Sequence, residues 1–130
     1  MILTTAIVCL GVTVFFEARG EDIAGQVAVA QVVMSRVASE HWPDTVCEVV
    51  HEGGVIRHKC QFSYHCDGKS DRPWEGKAKM QALLVASAVI AGSGHVGLRD
   101  ATHYHADYVD PDWAEFLTLI AIYGRHKFYV

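Results

Sequence analysis

The sequence contains little that would divide or disorder it. It has 3 prolines among 130 residues, and we find no internal repeat, low-complexity segment or domain linker in it. Charged residues make up 20% of the chain and apolar residues 51%. A disordered chain contains a smaller share of apolar residues, so this composition indicates a folded protein. The length therefore predicts one domain over residues 1–130.

An excess of positive charge is also missing. The formal net charge is −4, whereas a nucleic-acid-binding domain needs a broad positive field to neutralise phosphates. We therefore expect no nucleic-acid partner. We also expect a monomer without cofactors.

Residues 1–16 carry no charged side chain, yet the segment lacks the features of an exported leader or a membrane span. It is shorter than the ~20 residues that cross a bilayer. It has no basic start and no small-residue cleavage site, and it continues directly into Glu17. We therefore expect a buried helix of the domain, with no stable membrane insertion and no secretion signal.

The 4 cysteines do not define a metal site. Cys9 lies in the apolar first segment and is predicted to stay a buried thiol. Cys47, Cys60 and Cys66 surround one loop and predict at most one disulfide among themselves. Zinc bound with neighbouring histidines is the alternative, but the short C-x2–4-C spacing of structural zinc sites is absent. Without an H-E-x-x-H pattern, a zinc peptidase or amidase is also disfavoured.

Hydrophobic periodicity predicts helices first and strands afterwards. The predicted helices cover residues 3–18, 22–38, a short segment capped by Asp44 or Thr45 that ends at Val50, and 77–91. Residues 51–73 are predicted to form an irregular loop. Strands are predicted at 102–105, 117–123 and 127–130, with Gly124 and Arg125 turning the last two into a hairpin. This order predicts an α+β domain, mainly helical with a small C-terminal antiparallel sheet.

Glu17 is the first candidate for a chemical role. It follows sixteen uncharged residues and is flanked by Phe15, Phe16 and Ala18. Apolar surroundings disfavour the ionised carboxylate and raise its pKa, as a general acid near neutral pH requires. The alternative is a structural glutamate at the polar end of a buried helix, paired with Arg19.

Three histidines near the end of the chain raise a second metal hypothesis. His103 and His105 share one face of a predicted strand, and His126 lies near the neighbouring strand. They are zinc ligands, hydrogen-bonded structural histidines or exposed histidines. Tyr104 alternates with the first two, so it is predicted to face the opposite side of the sheet.

A series of ordered blocks gives a family resemblance over nearly the whole chain. The blocks are 16–21 (FEARGE), 25–30 (GQVAVA), 35–37 (SRV), 42–43 (WP), 46–50 (VCEVV), 60–63 (CQFS), 66–68 (CDG), 101–106 (ATHYHA), Pro111 with Trp113, and 124–129 (GRHKFY). In this order they resemble the spore-cortex-lytic (SleB-type) cell-wall hydrolases. The resemblance implies a small lysozyme-like catalytic domain without a metal.

The resemblance also implies roles for particular residues. Glu17 matches the family's catalytic glutamate, and Gln61, Ser63 and Tyr104 match positions expected to contact substrate. Glu21 is the nearby second carboxylate and is placed with the substrate-binding residues. As to its detailed role, we favour a helix cap or a partner of Arg19 or Arg36 over a second catalytic acid. Trp113 is predicted to pack in the core.

The implied reaction is lytic transglycosylation of peptidoglycan glycan strands. Glu17 would protonate the oxygen between N-acetylmuramic acid and N-acetylglucosamine and then accept the proton of the sugar's own 6-hydroxyl. This leaves a 1,6-anhydro end and consumes no water. The alternatives are a hydrolytic muramidase using the same glutamate and a non-catalytic glycan-binding module.

The setting is a further expectation from the resemblance. A bare catalytic domain without an export signal resembles a phage or prophage endolysin. Such a protein is made in the cytoplasm and reaches the cell wall after holin-type release.

Overall fold

The elements follow the predicted order of helices and then strands. The protein is represented by a computed structural model that describes residues 2–52, 62, 76–98 and 100–130. Within these residues the helices are α1 (Ile2–Ala18), α2 (Ile23–Ala38), α3 (Val46–Val50) and α4 (Gly76–Ile90). The strands are β1 (His103–Ala106), β2 (Leu119–Tyr123) and β3 (His126–Tyr129), with a 3₁₀ helix at Asp112–Phe116. The predicted α+β class is confirmed, and the 3₁₀ helix is an element that the sequence analysis missed.

Short polar side chains begin two of the helices. The Asp22 carboxylate accepts the backbone N–H of Gly25 at 2.9 Å and so caps α2. At α3 the Thr45 hydroxyl accepts the N–H of Glu48 at 3.3 Å and donates to the carboxylate of Glu48 at 2.7 Å. Of the two predicted caps for α3, Thr45 is the one used.

α1 packs against the other three helices and supplies much of the main core. Leu10, Val14 and Phe15 on α1 are at most 1% exposed. Gly11 lets α4 approach closely, because a Cβ at this position would lie 2.7 Å from Cδ2 of Leu83. Val8 is 49% exposed, so α1 is not covered on all sides. Over the described part of the chain, no helix combines the length and hydropathy that crossing a bilayer requires.

The sheet has the strand order β1-β3-β2, with both pairs antiparallel. The predicted hairpin between β2 and β3 is confirmed, with Gly124 at φ +57° in its turn. Phe128 on β3 is fully buried and belongs to a second core cluster with Val29 and Val32 of α2. The sheet therefore lies with one face against α2.

The cysteine prediction is wrong for Cys9. Cys9 and Cys47 form a disulfide, with their Cα atoms 5.4 Å apart and a sequence separation of 38. The apolar surroundings of Cys9 gave no sign of a partner, because the packing of α3 against α1 brings the two cysteines together. Cys60 and Cys66 lie outside the described residues, as does the alternative of zinc bound there.

Candidate active site

Glu17 and Tyr104 meet where the helices contact the sheet. Glu17 lies in the last turn of α1, and Tyr104 lies in β1. The Tyr104 hydroxyl donates a hydrogen bond of 2.6 Å to Oε1 of Glu17. The bond is short, and it becomes charge-assisted when Glu17 is ionised. The prediction that Tyr104 faces away from His103 and His105 is confirmed by the strand register.

Arg36 brings a buried cation to the same place. It lies on the buried face of α2 and is 3% exposed. Its Nε donates to the carbonyl of Thr102 at 2.8 Å, directly before β1. Its guanidinium carbon lies 5.3 Å from the ring centre of Trp42 and 5.6 Å from that of Phe62. These contacts hold a positive charge in a fixed orientation beside the Glu17–Tyr104 pair.

The pKa of Glu17 results from opposing influences. Burial is the largest and raises the pKa above its ordinary value of 4.5. The hydrogen bond from Tyr104 and the charge of Arg36 both lower the pKa, but by less. A carboxyl group in this environment keeps its proton to a higher pH than an exposed glutamate, as general acid catalysis requires.

A cavity of about 390 Å³ opens beside these groups. Its described lining consists of Phe16, Glu17, Arg36, Phe62, Tyr104, His105, Ala106, Tyr108, Val109 and His126. Tyr108 is 78% exposed, so its ring is available to a ligand that enters. Two larger cavities, of about 580 and 540 Å³, contain neither Glu17 nor Tyr104. The smaller cavity is therefore the candidate active site.

Glu21 does not cap a helix, because Asp22 takes that position. Its Oε1 accepts the backbone N–H of Arg125 at 3.1 Å and lies 3.2 Å from Nδ1 of His126. Its described contacts are thus with the β2–β3 turn rather than with Arg19 or Arg36. Glu21 is also absent from the described lining of the cavity. Its predicted contact with substrate stays a prediction.

Two other predicted substrate residues, Gln61 and Ser63, lie outside the described residues. Phe62 between them is described and is 3% exposed, in the core cluster and at the cavity wall. The assignments of Gln61 and Ser63 stay predictions.

The three histidines do not converge on one point, so the zinc alternative is wrong for them. His126 pairs with Ala106 and therefore shares the face of Tyr104, opposite His103 and His105. His105 Nε2 is hydrogen-bonded to the Tyr129 hydroxyl at 2.7 Å. Across the described ranges, no three His, Cys, Asp or Glu side chains group as metal ligands.

Trp113 packs against other side chains, but the prediction that it lies in the core is wrong, because it is only half-buried and its 3₁₀ helix contains no buried residue. Its ring centre lies 5.1 Å from that of His103, 5.6 Å from that of His105 and 5.3 Å from that of Tyr129. The 3₁₀ helix thus covers the face of the sheet opposite Tyr104. Trp113 does not belong to the described lining of the cavity.

Sequence reasoning missed Arg36 and His126 as residues of the cavity. Arg36 was considered as a partner of Glu21, and His126 as a zinc ligand. A signal for Arg36 was present, because it lies seven residues after Val29 and three after Val33 on the buried stripe of α2. A charged residue at such a position needs a partner or a function.

Comparisons with known proteins agree on one family. The profile of the Cell Wall Hydrolase family matches residues 20–129, so the match begins after Glu17. A spore cortex-lytic enzyme of Oceanobacillus iheyensis is 54% identical over 115 residues, 88% of this chain and 38% of that protein. Another, of Halalkalibacterium halodurans, is 46% identical over 116 residues, 88% of this chain and 32% of that protein. The chain thus spans about a third of the length of these relatives.

Two solved structures have the same fold. The catalytic domain of the Bacillus cereus SleB protein superposes with a TM-score of 0.73 at 27% identity, covering 98% of this chain and 91% of that one. The catalytic domain of the germination-specific lytic transglycosylase SleB of Bacillus anthracis also gives 0.73, at 30% identity, covering 96% and 93%. The matched region of the longer relatives is therefore one that adopts the fold of a catalytic domain.

Proposed function

Since this chain belongs to the Cell Wall Hydrolase family, we propose that it degrades peptidoglycan as a lytic transglycosylase with Glu17 as general acid and base. The bond cleaved is the β-1,4 linkage between N-acetylmuramic acid and N-acetylglucosamine. One observation carries the assignment of Glu17. Glu17 has a half-buried carboxyl group with a raised pKa, and this group is hydrogen-bonded to Tyr104 at the wall of a cavity.

The reaction balances with one carboxyl group. Protonated Glu17 donates to the glycosidic oxygen while the bond from that oxygen to C1 of the muramic acid breaks. The carboxylate so formed accepts the proton of the 6-hydroxyl, and O6 bonds to C1. Glu17 is protonated again at the end, and the products together have the composition of the substrate.

The position of Glu21 supports transglycosylation over hydrolysis. A hydrolase needs a second group that activates water or forms a covalent intermediate. Glu21 is the candidate nearest to Glu17 in sequence. Its carboxylate accepts the Arg125 N–H and lies beside His126, so it is directed at the protein's own turn. The 6-hydroxyl is already tethered to the reacting ring, so its attack gains the high effective concentration of an intramolecular reaction.

Tyr104 and Arg36 assist Glu17 in this mechanism. When Glu17 has given up its proton, the Tyr104 hydroxyl donates to the new carboxylate and the Arg36 charge stabilises it. Both groups favour the ionised form, whereas burial favours the protonated form. Glu17 can therefore lose and regain a proton within one reaction cycle.

The product tests this proposal. Digestion of purified peptidoglycan in ¹⁸O-labelled water should release unlabelled 1,6-anhydromuramoyl ends that resist borohydride reduction, as measured by mass spectrometry. Reducible, labelled muramic acid as the main product would instead identify a hydrolytic muramidase. Binding to peptidoglycan without any cleavage would identify a glycan-binding module.

The Glu17→Gln variant tests the assigned residue. The amide keeps the shape of the side chain and still accepts the Tyr104 hydrogen bond, but it has no proton to donate. Loss of a general acid lowers rates by roughly 10²–10⁴, and we expect lysis of peptidoglycan suspensions to fall at least that far. Unchanged circular dichroism is the control for folding. Retained activity in this variant, with loss in Glu21→Gln, would reject the assignment.

The biological setting is a proposal of its own. We propose an endolysin-type role, in which the protein is made in the cytoplasm and acts on the wall after holin-type release. Expression with and without a co-expressed holin, followed by turbidity, tests it. Lysis that does not depend on the holin would contradict it.

A further inference from the structure

Glu21 has a rigid position between α1 and α2. Its backbone N–H donates to the Ala18 carbonyl at 3.0 Å, and its own carbonyl accepts from Nε2 of Gln26 at 3.1 Å. The side chain is 12% exposed. The backbone of the residue is therefore held at both ends, and its carboxylate lies at the β2–β3 turn.

The turn is shaped to receive this carboxylate. Oε1 of Glu21 accepts the N–H of Arg125 at 3.1 Å. At Gly124 a Cβ would overlap the carboxylate, with Cδ of Glu21 at 2.7 Å. Gly124 also has φ +57°, a conformation that residues with side chains rarely adopt. A glycine is thus required here both for the turn and for the approach of Glu21.

The turn leads directly to His126, which joins Glu21 to the cavity. Nδ1 of His126 lies 3.2 Å from Oε1 of Glu21, without the alignment of a hydrogen bond. The His126 ring meets the Tyr104 ring edge to face, with 5.3 Å between the ring centres. His126 also lines the cavity.

Tyr104 is held from β3 by a second residue as well. Phe128 pairs with Tyr104 in the strand register, and the two rings stack with 5.6 Å between their centres. The position of the Tyr104 hydroxyl on Glu17 therefore depends on where β3 lies. Glu21 is the described side chain that fixes the start of β3 to the helices.

We propose that Glu21 is a positioning residue, which anchors the β2–β3 turn so that Tyr104 stays hydrogen-bonded to Glu17. This inference rests on the proposed function, because it assigns Glu21 a part in the same reaction. It differs from both a second catalytic acid and a substrate ligand, since the carboxylate is directed at the protein's own turn.

The Glu21→Ala variant should lower kcat far more than it changes KM. A displacement of ~1 Å at a reacting group lowers rates by up to roughly 10²-fold, so we expect a fall of about tenfold to a hundredfold. Glu21→Gln should lie between Ala and wild type, because its amide oxygen still accepts the Arg125 N–H. Initial rates on peptidoglycan at several concentrations, well below the melting temperature, give both constants.

Asp22→Ala is the matched control. It removes the neighbouring carboxylate and the cap of α2, but no contact to the turn. We expect a lower melting temperature with unchanged kcat. If Glu21→Ala behaved in the same way, Glu21 would be merely structural and the proposal would be overturned.

Two double variants test the path from Glu21 to Glu17. Gly124→Ala should lower kcat when it is introduced into the wild type. It should lower kcat less when Glu21→Ala is also present, because the carboxylate that the new Cβ displaces is then absent. Glu21→Ala should likewise lower kcat less when Tyr104→Phe is also present, because the hydrogen bond from Tyr104 to Glu17 is then already lost. Additive effects in both cycles would overturn the proposal.

Other outcomes also decide. A raised KM with unchanged kcat in Glu21→Ala would make Glu21 a substrate ligand and overturn the positioning role. If Glu21→Ala lost activity as completely as Glu17→Gln, Glu21 would be a second catalytic acid and the positioning role would be overturned. Activity retained in Glu17→Gln would reject the proposed function itself, which is a separate result.

Discussion

At the scale of single residues, the carboxyl group of Glu17 is in balance between two states. Burial favours the protonated form, which suits the acid step but opposes the base step. The Tyr104 hydrogen bond and the Arg36 charge favour the carboxylate but do not outweigh burial. A group that first gives and then takes a proton needs both kinds of influence.

Tyr104→Phe should therefore shift the pH dependence of the reaction. Removing the hydrogen bond raises the pKa of Glu17 further, because that bond lowers it. The basic limb of the rate profile should move to higher pH, and kcat should fall by roughly tenfold. Rates measured across the pH range on one peptidoglycan preparation give both quantities.

The same variant should leave thermal stability almost unchanged, since one hydroxyl is removed and the ring still stacks on Phe128. A large drop in melting temperature, with the specific activity of the folded fraction unchanged, would make Tyr104 a core residue instead.

At the scale of elements, the disulfide ties α1, which carries Glu17, to α3. α3 has 5 residues, and isolated helices of this length do not form in water. The stability of α3 therefore depends on the Thr45 cap and on its contact with α1. The link from Cys9 to Cys47 holds α3 in place against α1.

Loss of this disulfide should destabilise the oxidised protein. Closing a loop with a sequence separation of 38 lowers the entropy of the unfolded chain, a stabilisation of about 4 kcal/mol. We expect Cys9→Ala and Cys47→Ala each to lower the free energy of unfolding in urea by roughly this amount, and the double variant to lose little more. Wild type treated with reductant is the control. Rapid alkylation of Cys9 in the native, oxidised protein would contradict the pairing.

Element boundaries were predictable to within one or two residues for the four helices, because each depends on near neighbours in the chain. The apolar stripe of α2 and the Thr45 cap are examples. The strands were predicted almost as closely. β1 and β3 are each shifted by one residue, and β2 begins two residues later, at Leu119 rather than at 117. The 3₁₀ helix Asp112–Phe116 has no such local signal and is positioned by Trp113 packing on the sheet.

At the scale of the whole molecule, the candidate active site lies where the helical layer meets the sheet. Burying a carboxyl group there favours its protonated form in the folded state. The pKa of Glu17 is raised above its ordinary value of 4.5 in the folded protein. The stability that this shift contributes is fully present below pH 4.5, and it is lost as the pH rises through the pKa of the folded state. The native protein is therefore less stable at neutral pH than it would be with a neutral residue.

Glu17→Gln should consequently melt at a higher temperature than wild type at neutral pH, while being inactive. The difference should shrink as the pH falls toward 4.5, the ordinary pKa of the group, and stay constant below it. Glu40→Gln is the control for loss of one negative charge at an exposed position. Calorimetry across this pH range measures the effect. A difference in melting temperature independent of pH would contradict this account.

The amino-acid sequence was sufficient for whatever depends on local order. It predicted the helices, the β2–β3 hairpin and the opposite faces of Tyr104 and His103, because periodicity and turn residues act over a few positions. It also singled out Glu17, since a lone carboxyl after an apolar run is itself a local pattern. The family resemblance then joined these local features into one fold.

Tertiary structure alone decided which distant groups meet. Glu17 and Tyr104 are 87 residues apart, Arg36 and Thr102 are 66 apart, and Glu21 and Arg125 are 104 apart. No periodicity connects such pairs, because each depends on how α2 and the sheet pack across the second core cluster. The packing of α3 against α1 gave Cys9 its partner, and the pairing of β3 with β1 turned His126 away from the other histidines. It also directed Glu21 to the hairpin turn, because Gly124 leaves room there for a carboxylate.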